Sequence, residues 1–534
     1  MGEEGSAGAV RTAGTASAPP PGTVVAAYVI VIVGVAAAWA VYAATVGARV
    51  LPLDDAYITL RNAQLLATGL PDEQFPDATP LHGATSPVHT VLVAALMRAL
   101  PPLSAADVAR WVAVLAYALG LLRLGLIHSR GVGPALLIVL AGLLVARTPY
   151  QLLNGLETGL AMALVAWWLV LASATEPGVG LPIVSGVLPF VRPELSVLSG
   201  IGIALSAQRR LRGTPDASAL SARGDRRGRV CRAGGRVAPR AWRVMGDVAL
   251  LALAAAPWLA LEWHYTGSML PPTMRAKELY FAEGTLPMAT KLSMATDGLA
   301  LFTQTTFPLG LALALFFVHR AAMPGLVMSI ALLAAYTARF PGALLTYECR
   351  YLYVLVPLLV GSIAMAMGHR HRWVRSAGWA LGVGVLICGL ASFGWSMRLH
   401  RYACRFTEES SESAARFCET HIPADAVILI HDVGYLPWRT RFRFSDLVGL
   451  KTPANLAEHA ALTYPSAGRE RPEAIHRIAL RSGARYCVVH NPWEYDHGIA
   501  RALRTHGWLV RPLRPRTAQY QVYEIRPPGA GAAP

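Results

Sequence analysis

Beyond residue 22 the chain alternates long apolar runs with short polar turns, a spacing set by membrane thickness rather than by a soluble core. The runs predict helical spans at 23–47, 105–127, 132–146, 157–174, 181–191, 193–207, 245–262, 299–318, 322–338, 351–367 and 377–395, about eleven crossings. The first loop, 48–104, holds two shorter apolar stretches, 56–70 and 86–100, bounded by Pro or Gly and carrying Arg61, Gln64, His89 and Arg98. They predict helices lying in the membrane interface rather than crossing it. After Trp395 the pattern changes to that of a water-facing domain. Strands are expected at 426–430, 485–489 and 519–525 and a helix at 472–481, which together predict a small α/β domain over 397–526. The ends, 1–22 and 527–534, are rich in Gly, Ala, Ser and Pro and are expected to be disordered.

Charge orients this pattern. With the N-terminus inside and 86–100 not crossing, the basic turns at 128–130, 208–244, 319–320 and 369–375 all fall inside, as the positive-inside rule requires. If 86–100 crossed, each of those turns would move outside. The same bookkeeping sends every polar interruption near a span end to the outer side: Asp54-Asp55, Asn154–Thr158, Arg192-Pro193-Glu194, the 264–298 loop and Glu348–Tyr351. The C-terminal domain lands there too.

Composition agrees: 54% of the 534 residues are hydrophobic and only 15% charged, against about a quarter charged in soluble chains. The net charge of +16 is concentrated between Arg209 and Arg243, where eleven Arg face Asp216 and Asp225, a local balance of +9. Between two apolar spans such a segment marks a cytoplasmic loop against anionic lipid, not a nucleic-acid site. The six cysteines show no metal spacing, although Cys404 and Cys418 fall where a disulfide would be tolerated in an exported domain. The C-terminal domain has no dinucleotide fingerprint and no phosphate loop; His431, Asp432 and His490 sit at its strand ends, where turn roles compete with ligand roles.

Ionised groups at membrane depth default to function. Asp54-Asp55, just after the first span, reads equally well as a helix cap or as a reactive pair. Carboxylates beside cations at one membrane face suit a lipid-anchored phosphate. Arg and Lys bind phosphate oxygens, and a carboxylate within reach of an acceptor hydroxyl can serve as general base. A transporter or flippase of lipid-linked sugars would need similar groups, but shows inverted repeats that are not evident here.

Six motifs sharpen this picture. They are Asp54-Asp55-Ala56-Tyr57-Ile58-Thr59-Leu60-Arg61-Asn62-Ala63, Gly83-Ala84-Thr85-Ser86-Pro87, Gly155-Leu156-Glu157-Thr158, Arg192-Pro193-Glu194, a spaced set of Trp263, Gly267, Pro271 or Pro272 and Ala276-Lys277, and Arg350-Tyr351. In this order they resemble the bacterial integral-membrane glycosyltransferases of the C class, especially the branch containing mycobacterial terminal arabinofuranosyltransferases. Ala84, where relatives often carry an aromatic residue, and the basic insertion near Arg209 depart from that pattern. The resemblance implies an inverting transfer of a sugar from a polyprenyl phosphate to a glycan, lipid or protein acceptor, on the outer face of the bacterial cytoplasmic membrane. It implies a first-loop Asp as base, with Asp54 favoured and Asp55 as support or second candidate. It makes Arg192, Lys277 and Arg350 candidates for the donor phosphate. Glu157, Arg61, Tyr57, Glu194 and Tyr351 become sugar or acceptor contacts. No cofactor is fixed, and a divalent metal, used by some members of the class, is left open.

Overall fold

The computed structural model describes residues 19–46, 50–129, 131–174, 178–212, 237–318, 322–515 and 517–529. The expectations for residues 1–18, for most of the basic segment (213–236) and for 530–534 lie outside them.

Helical structure occupies every apolar run. In order come α1 (Pro21–Thr45), α2 (Asp54–Thr68), α3 (Pro87–Met97), α4 (Pro102–Ser129), α5 (Val132–Leu144), α6 (Thr148–Leu153), α7 (Thr158–Ser173), α8 (Gly180–Val191) and α9 (Ser196–Arg212). Helices Val237–Thr266, Pro272–Phe281, Met288–Thr306, Met323–Arg339, Val356–Met367 and Arg372–Phe406 follow. Among the described residues five helices are long and apolar enough to cross a membrane by length and composition, or six if one bent pair counts as a span. That pair corrects the expected span 299–318: Met288–Thr306 and Leu309–Val318 meet at 107°, with Pro308 at the break. Apolar side chains on the outside of the bundle, such as Val29, Val33 and Val41 of α1 and Leu253 of Val237–Thr266, remain exposed, as lipid-facing positions do.

The two ends of the bundle differ in what they carry. At one end His128 is hydrogen-bonded to Ser173 and packs beside Gly368, while Arg209 donates to the carbonyls of Leu171 and Ala172. The first loop and the C-terminal domain meet at the other.

The C-terminal domain is a five-stranded sheet of order β2-β1-β3-β5-β4, built from β1 (Val427–Ile430), β2 (Arg443–Asp446), β3 (Tyr486–His490), β4 (Leu509–Pro512) and β5 (Tyr520–Arg526). β1 pairs in parallel with β2 and β3, while β5 runs antiparallel to β3 and β4. The two-residue period of a strand divides its core. Leu429, Cys487, Val489 and Ile525 pack on helices Arg471–Ser482 and Ile499–Thr505, whereas Ile428, Ile430, Val488 and Val522 join the first loop.

That second face carries the main departures from expectation. α2 is covered by protein rather than bare: Ala56, Tyr57, Ile58, Leu60 and Ala63 are buried in one core with Tyr435, Phe444 and Val448 of the C-terminal domain. The domain boundary expected at 396/397 falls inside the continuous helix Arg372–Phe406. β2 and β4, absent from the sequence reading, are short strands without apolar alternation (Arg443-Phe444-Ser445-Asp446 and Leu509-Val510-Arg511-Pro512). Cys404 and Cys418 are buried free thiols, not a disulfide.

Candidate active site

The first turn of α2 projects two carboxylates in different directions. Asp55 lines a cavity of about 330 Å³ with Ile58, Thr59, Gly83, Thr85, Leu156, Glu157, Thr273, Lys277, Arg350 and Leu450. Its Oδ2 lies 3.4 Å from Arg350 Nη1 and 3.8 Å from Lys277 Nζ. Asp54 turns to the C-terminal domain. Its Oδ2 and Oδ1 accept the backbone N–H groups of Gly434 (2.8 Å) and Tyr435 (2.7 Å), at the head of helix Tyr435–Arg439. Glycine is required at 434, because a Cβ there would overlap the Asp54 carbonyl.

Local sequence explains how each cavity residue arrives. Gly267 (φ +66°) closes helix Val237–Thr266, and Pro272 opens helix Pro272–Phe281. Thr273 and Lys277 are then i,i+4 neighbours on one face, and both reach the cavity. Gly155 (φ +82°) packs against Ala56, and Asn154 accepts the Leu156 N–H at 2.9 Å, which sets Leu156 and Glu157 at the head of α7. Arg350 follows three non-glycine residues in the left-handed region, Tyr347 (φ 45°), Glu348 (62°) and Cys349 (61°). Such backbone strain persists only where surroundings hold it. Here Gln151 Nε2 donates to the carbonyls of Tyr347 (2.9 Å) and Glu348 (3.3 Å).

The remaining expected site residues stand behind the cavity or away from it. Arg192 is fully buried, 2.7 Å from Glu194 and 3.8 Å from Glu157. Both its guanidinium (4.7 Å) and that of Arg350 (4.8 Å) lie over the Tyr351 ring, whose hydroxyl accepts from Arg350 at 3.0 Å. Arg192, Glu194 and Tyr351 thus form a charged backing layer for Glu157 and Arg350. Tyr57 accepts the Leu51 N–H at 2.8 Å and packs on Tyr435 and Trp438, and Arg61 pairs with Asp72 at 3.2 Å; neither lines the cavity. Thr59, Thr85 and Thr273 supply hydroxyls that sequence reasoning did not assign, although Thr59 and Thr85 lie inside the quoted motifs. Leu450 ends a stretch, Asp446–Leu450, whose resemblance to the family is loose and assigned it no role.

The strand-end residues of the C-terminal domain gather at Asp54 instead. His431 Nε2 accepts the His490 N–H at 2.9 Å, so the ring proton sits on Nδ1, 3.0 Å from Asp432 Oδ1. Burial works against ionisation of Asp432, but His431 and the Tyr520 hydroxyl (2.9 Å) hold it below the usual carboxylate range. Removal from water, reinforced by Asp432, raises Asp54 well above that range, and the two amides offset only part of this.

Among the described residues no group of three His, Cys, Asp or Glu side chains is placed to hold a metal ion. The cations beside Asp55 make its surroundings suit an anion and do not fit a divalent cation.

Comparison with known proteins adds the following. A family described as "Domain of unknown function (DUF8728)" matches residues 399–525. No curated protein sequence matches the chain. Among solved structures, ArnT from Cupriavidus metallidurans bound to undecaprenyl phosphate is similar over 95% of this chain and 98% of its own, at 13% identity and a TM-score of 0.46. The arabinofuranosyltransferase AftD from Mycobacteria is similar over 95% of this chain, at 15% identity and a TM-score of 0.40; this chain spans 40% of its length.

Proposed function

We propose that the protein is a membrane glycosyltransferase that moves a sugar, with inversion, from a polyprenyl-phosphate donor to a hydroxyl of a cell-envelope acceptor, with Asp55 as general base. The observation that carries this reading is the Asp55 carboxylate facing Lys277 and Arg350 across a cavity that also offers three threonine hydroxyls and Glu157. The motif resemblance supports it independently.

Each group has a role in one displacement. Lys277 and Arg350 hold the donor phosphate, Arg350 by its planar fork and Lys277 as a mobile point charge. Asp55 takes the proton of the acceptor hydroxyl as that oxygen attacks the anomeric carbon. The bond from the anomeric carbon to the phosphate oxygen breaks, and its electron pair leaves with the polyprenyl phosphate, stabilised by the same two cations. A single carboxylate suffices for this inverting step, because the leaving phosphate needs no protonation and no covalent sugar–enzyme bond forms. The cations pair with Asp55 in the empty site; an incoming phosphate competes for them and leaves the carboxylate free to accept a proton. Glu157, backed by Arg192, is placed to receive hydrogen bonds from sugar hydroxyls.

Geometry favours Asp55 over Asp54, since a base must reach its proton before its pKa matters. Both Asp54 oxygens already accept backbone amides. By the resemblance, the reaction takes place on the outer face of the cytoplasmic membrane, the C-terminal domain is extracytoplasmic, and the acceptor is a glycan, lipid or protein. The test is transfer by the full chain in lipid vesicles, with polyprenyl-phosphate sugars as donors and Asp55→Asn as the control. A deletion strain should lack a terminal sugar on an envelope glycan, seen by mass spectrometry. Undiminished transfer by Asp55→Asn would remove the base assignment.

A further inference from the structure

One wall of the Asp55 cavity comes from the C-terminal domain. β2 ends in a tight turn, Asp446-Leu447-Val448-Gly449-Leu450-Lys451, and its geometry is fixed from within. Asp446 Oδ1 accepts the Val448 N–H and Oδ2 the Lys451 N–H, each at 2.8 Å, while Gly449 adopts φ +87°. The turn is then bolted to the first loop. Lys451 is buried, with Nζ 3.1 Å from Asp72 Oδ2 and 2.9 Å from Asn62 Oδ1. Its stem runs past Gly83 (φ +83°), where a Cβ would sit 3.2 Å from Lys451 Cδ. Two residues before Asp446, the Phe444 N–H donates to the Gln74 carbonyl at 2.9 Å. Between these anchors Leu450 lines the cavity.

We infer that Leu450 is a specificity-determining residue for the donor sugar, and that Lys451 is the positioning residue that holds it. This rests on the glycosyltransferase reading. The lining divides by chemistry: Asp55, Thr59, Thr85, Glu157, Thr273, Lys277 and Arg350 are polar or charged, and Ile58, Leu156 and Leu450 are apolar. A sugar is divided the same way, into hydroxyl edges and an apolar C–H face. An apolar wall in the cavity discriminates by size, for instance between a pentose and a hexose with its extra hydroxymethyl group. It also makes the C-terminal domain part of the site rather than an appendage.

The experiment uses the full chain in vesicles with polyprenyl phosphates carrying a pentose or a hexose, and sugar-free polyprenyl phosphate as a binding probe. One carbon group in a pocket is worth roughly 10–200-fold in selectivity. Leu450→Ala should therefore shift the hexose-to-pentose ratio of kcat/KM by at least about tenfold toward hexose. Leu450→Trp should lower kcat/KM for both donors by about tenfold or more, with binding of sugar-free polyprenyl phosphate unchanged. Leu450→Met, of similar volume, should keep the wild-type ratio. Lys451→Met should move the ratio in the same sense as Leu450→Ala; a fall in kcat at constant ratio would make Lys451 merely structural and overturn its positioning role. An unchanged ratio in Leu450→Ala, or equal loss of sugar-free lipid binding in Leu450→Trp, overturns the assignment of Leu450. A wild-type protein that transfers no sugar from either donor, nor from any other, overturns the enzymatic reading and this inference with it.

Discussion

Asp54 and Asp55 share a helical turn and a peptide bond, yet their surroundings have opposite characters. Asp55 meets two side-chain cations, Lys277 and the buried Arg350, across the cavity. Asp54 meets two backbone amides and a second carboxylate, Asp432, in a niche closed by Tyr435, Ser411 and Tyr520. Adjacent residues on a helix diverge by about 100°, and the docked C-terminal domain turns that angle into a division of labour. The cavity around Asp55 can exchange partners, because its cations are side chains that a phosphate can recruit. The niche around Asp54 has no such freedom, because main-chain donors stay where the fold puts them. In the proposed reading one carboxylate serves the chemistry and the other holds the domain in place.

The sharpest way to break this contrast is to neutralise each carboxylate in turn. Asp55→Asn keeps the shape and loses the proton acceptor. Transfer should fall by about 10²–10⁴-fold, the usual worth of a general base, with unfolding temperature and membrane insertion unchanged. Equal inactivation by Asp54→Asn, in a protein of full stability, would exchange the roles. Assay of both variants in vesicles beside thermal unfolding in detergent gives the answer.

The contrast also predicts that the contact between first loop and C-terminal domain carries stability. Lys451→Met removes one of the two cations of the buried Asp72 and leaves it only Arg61, at 3.2 Å. Breaking a buried pair from one side costs about 3–5 kcal/mol, and the remaining Arg61 contact keeps the loss toward the lower end. The double variant Asp72→Leu/Lys451→Met should recover part of that loss, since it replaces both partners of the buried pair by apolar groups and frees only the partly exposed Arg61. Urea or thermal unfolding of the four proteins completes the cycle. Asp54→Asn should cost less, about 1–3 kcal/mol, because the amide oxygen can still serve one of the two N–H donors and leaves the other unpaired. A stability equal to wild type would show that the Asp54 clamp is incidental.

How far the chain could be read without coordinates follows the same division. Apolar runs, strands 426–430, 485–489 and 519–525 and the gathering of Asp55, Glu157, Lys277 and Arg350 at one end were legible, because periodicity and charge placement are local or additive properties. Which aspartate faces the cavity was not, since it depends on the rotation of α2 against a domain almost 400 residues away in sequence, as the Asp54–Gly434 and Asp54–Tyr435 bonds show. Arg192 carried the right charge for a phosphate contact, but Glu157, Glu194 and Tyr351 already engage it. The roles of Leu450 and Lys451 were invisible for a third reason. A leucine has no chemical signature, and the Lys451–Asp72 pair spans two parts of the chain that no periodicity connects.

The smallest effect concerns Asp446, the carboxylate that shapes the Leu450 turn. Burial pushes it up to about 6, despite amides from Lys451, Val448, Leu450 and Gly449 that favour its charge. The folded value lies above the unfolded value of about 3.9, so the folded protein binds this proton more tightly. Its contribution to stability therefore rises as pH falls from about 6 toward 4 and is constant above, the reverse of an ion-paired carboxylate. Compared with Asp446→Asn at each pH, the wild-type unfolding temperature should gain ground between pH 7 and pH 5. A difference that stays flat would mean that the four amides hold Asp446 ionised, and that the Leu450 turn is pinned by a full charge, like the Lys451–Asp72 pair beside it.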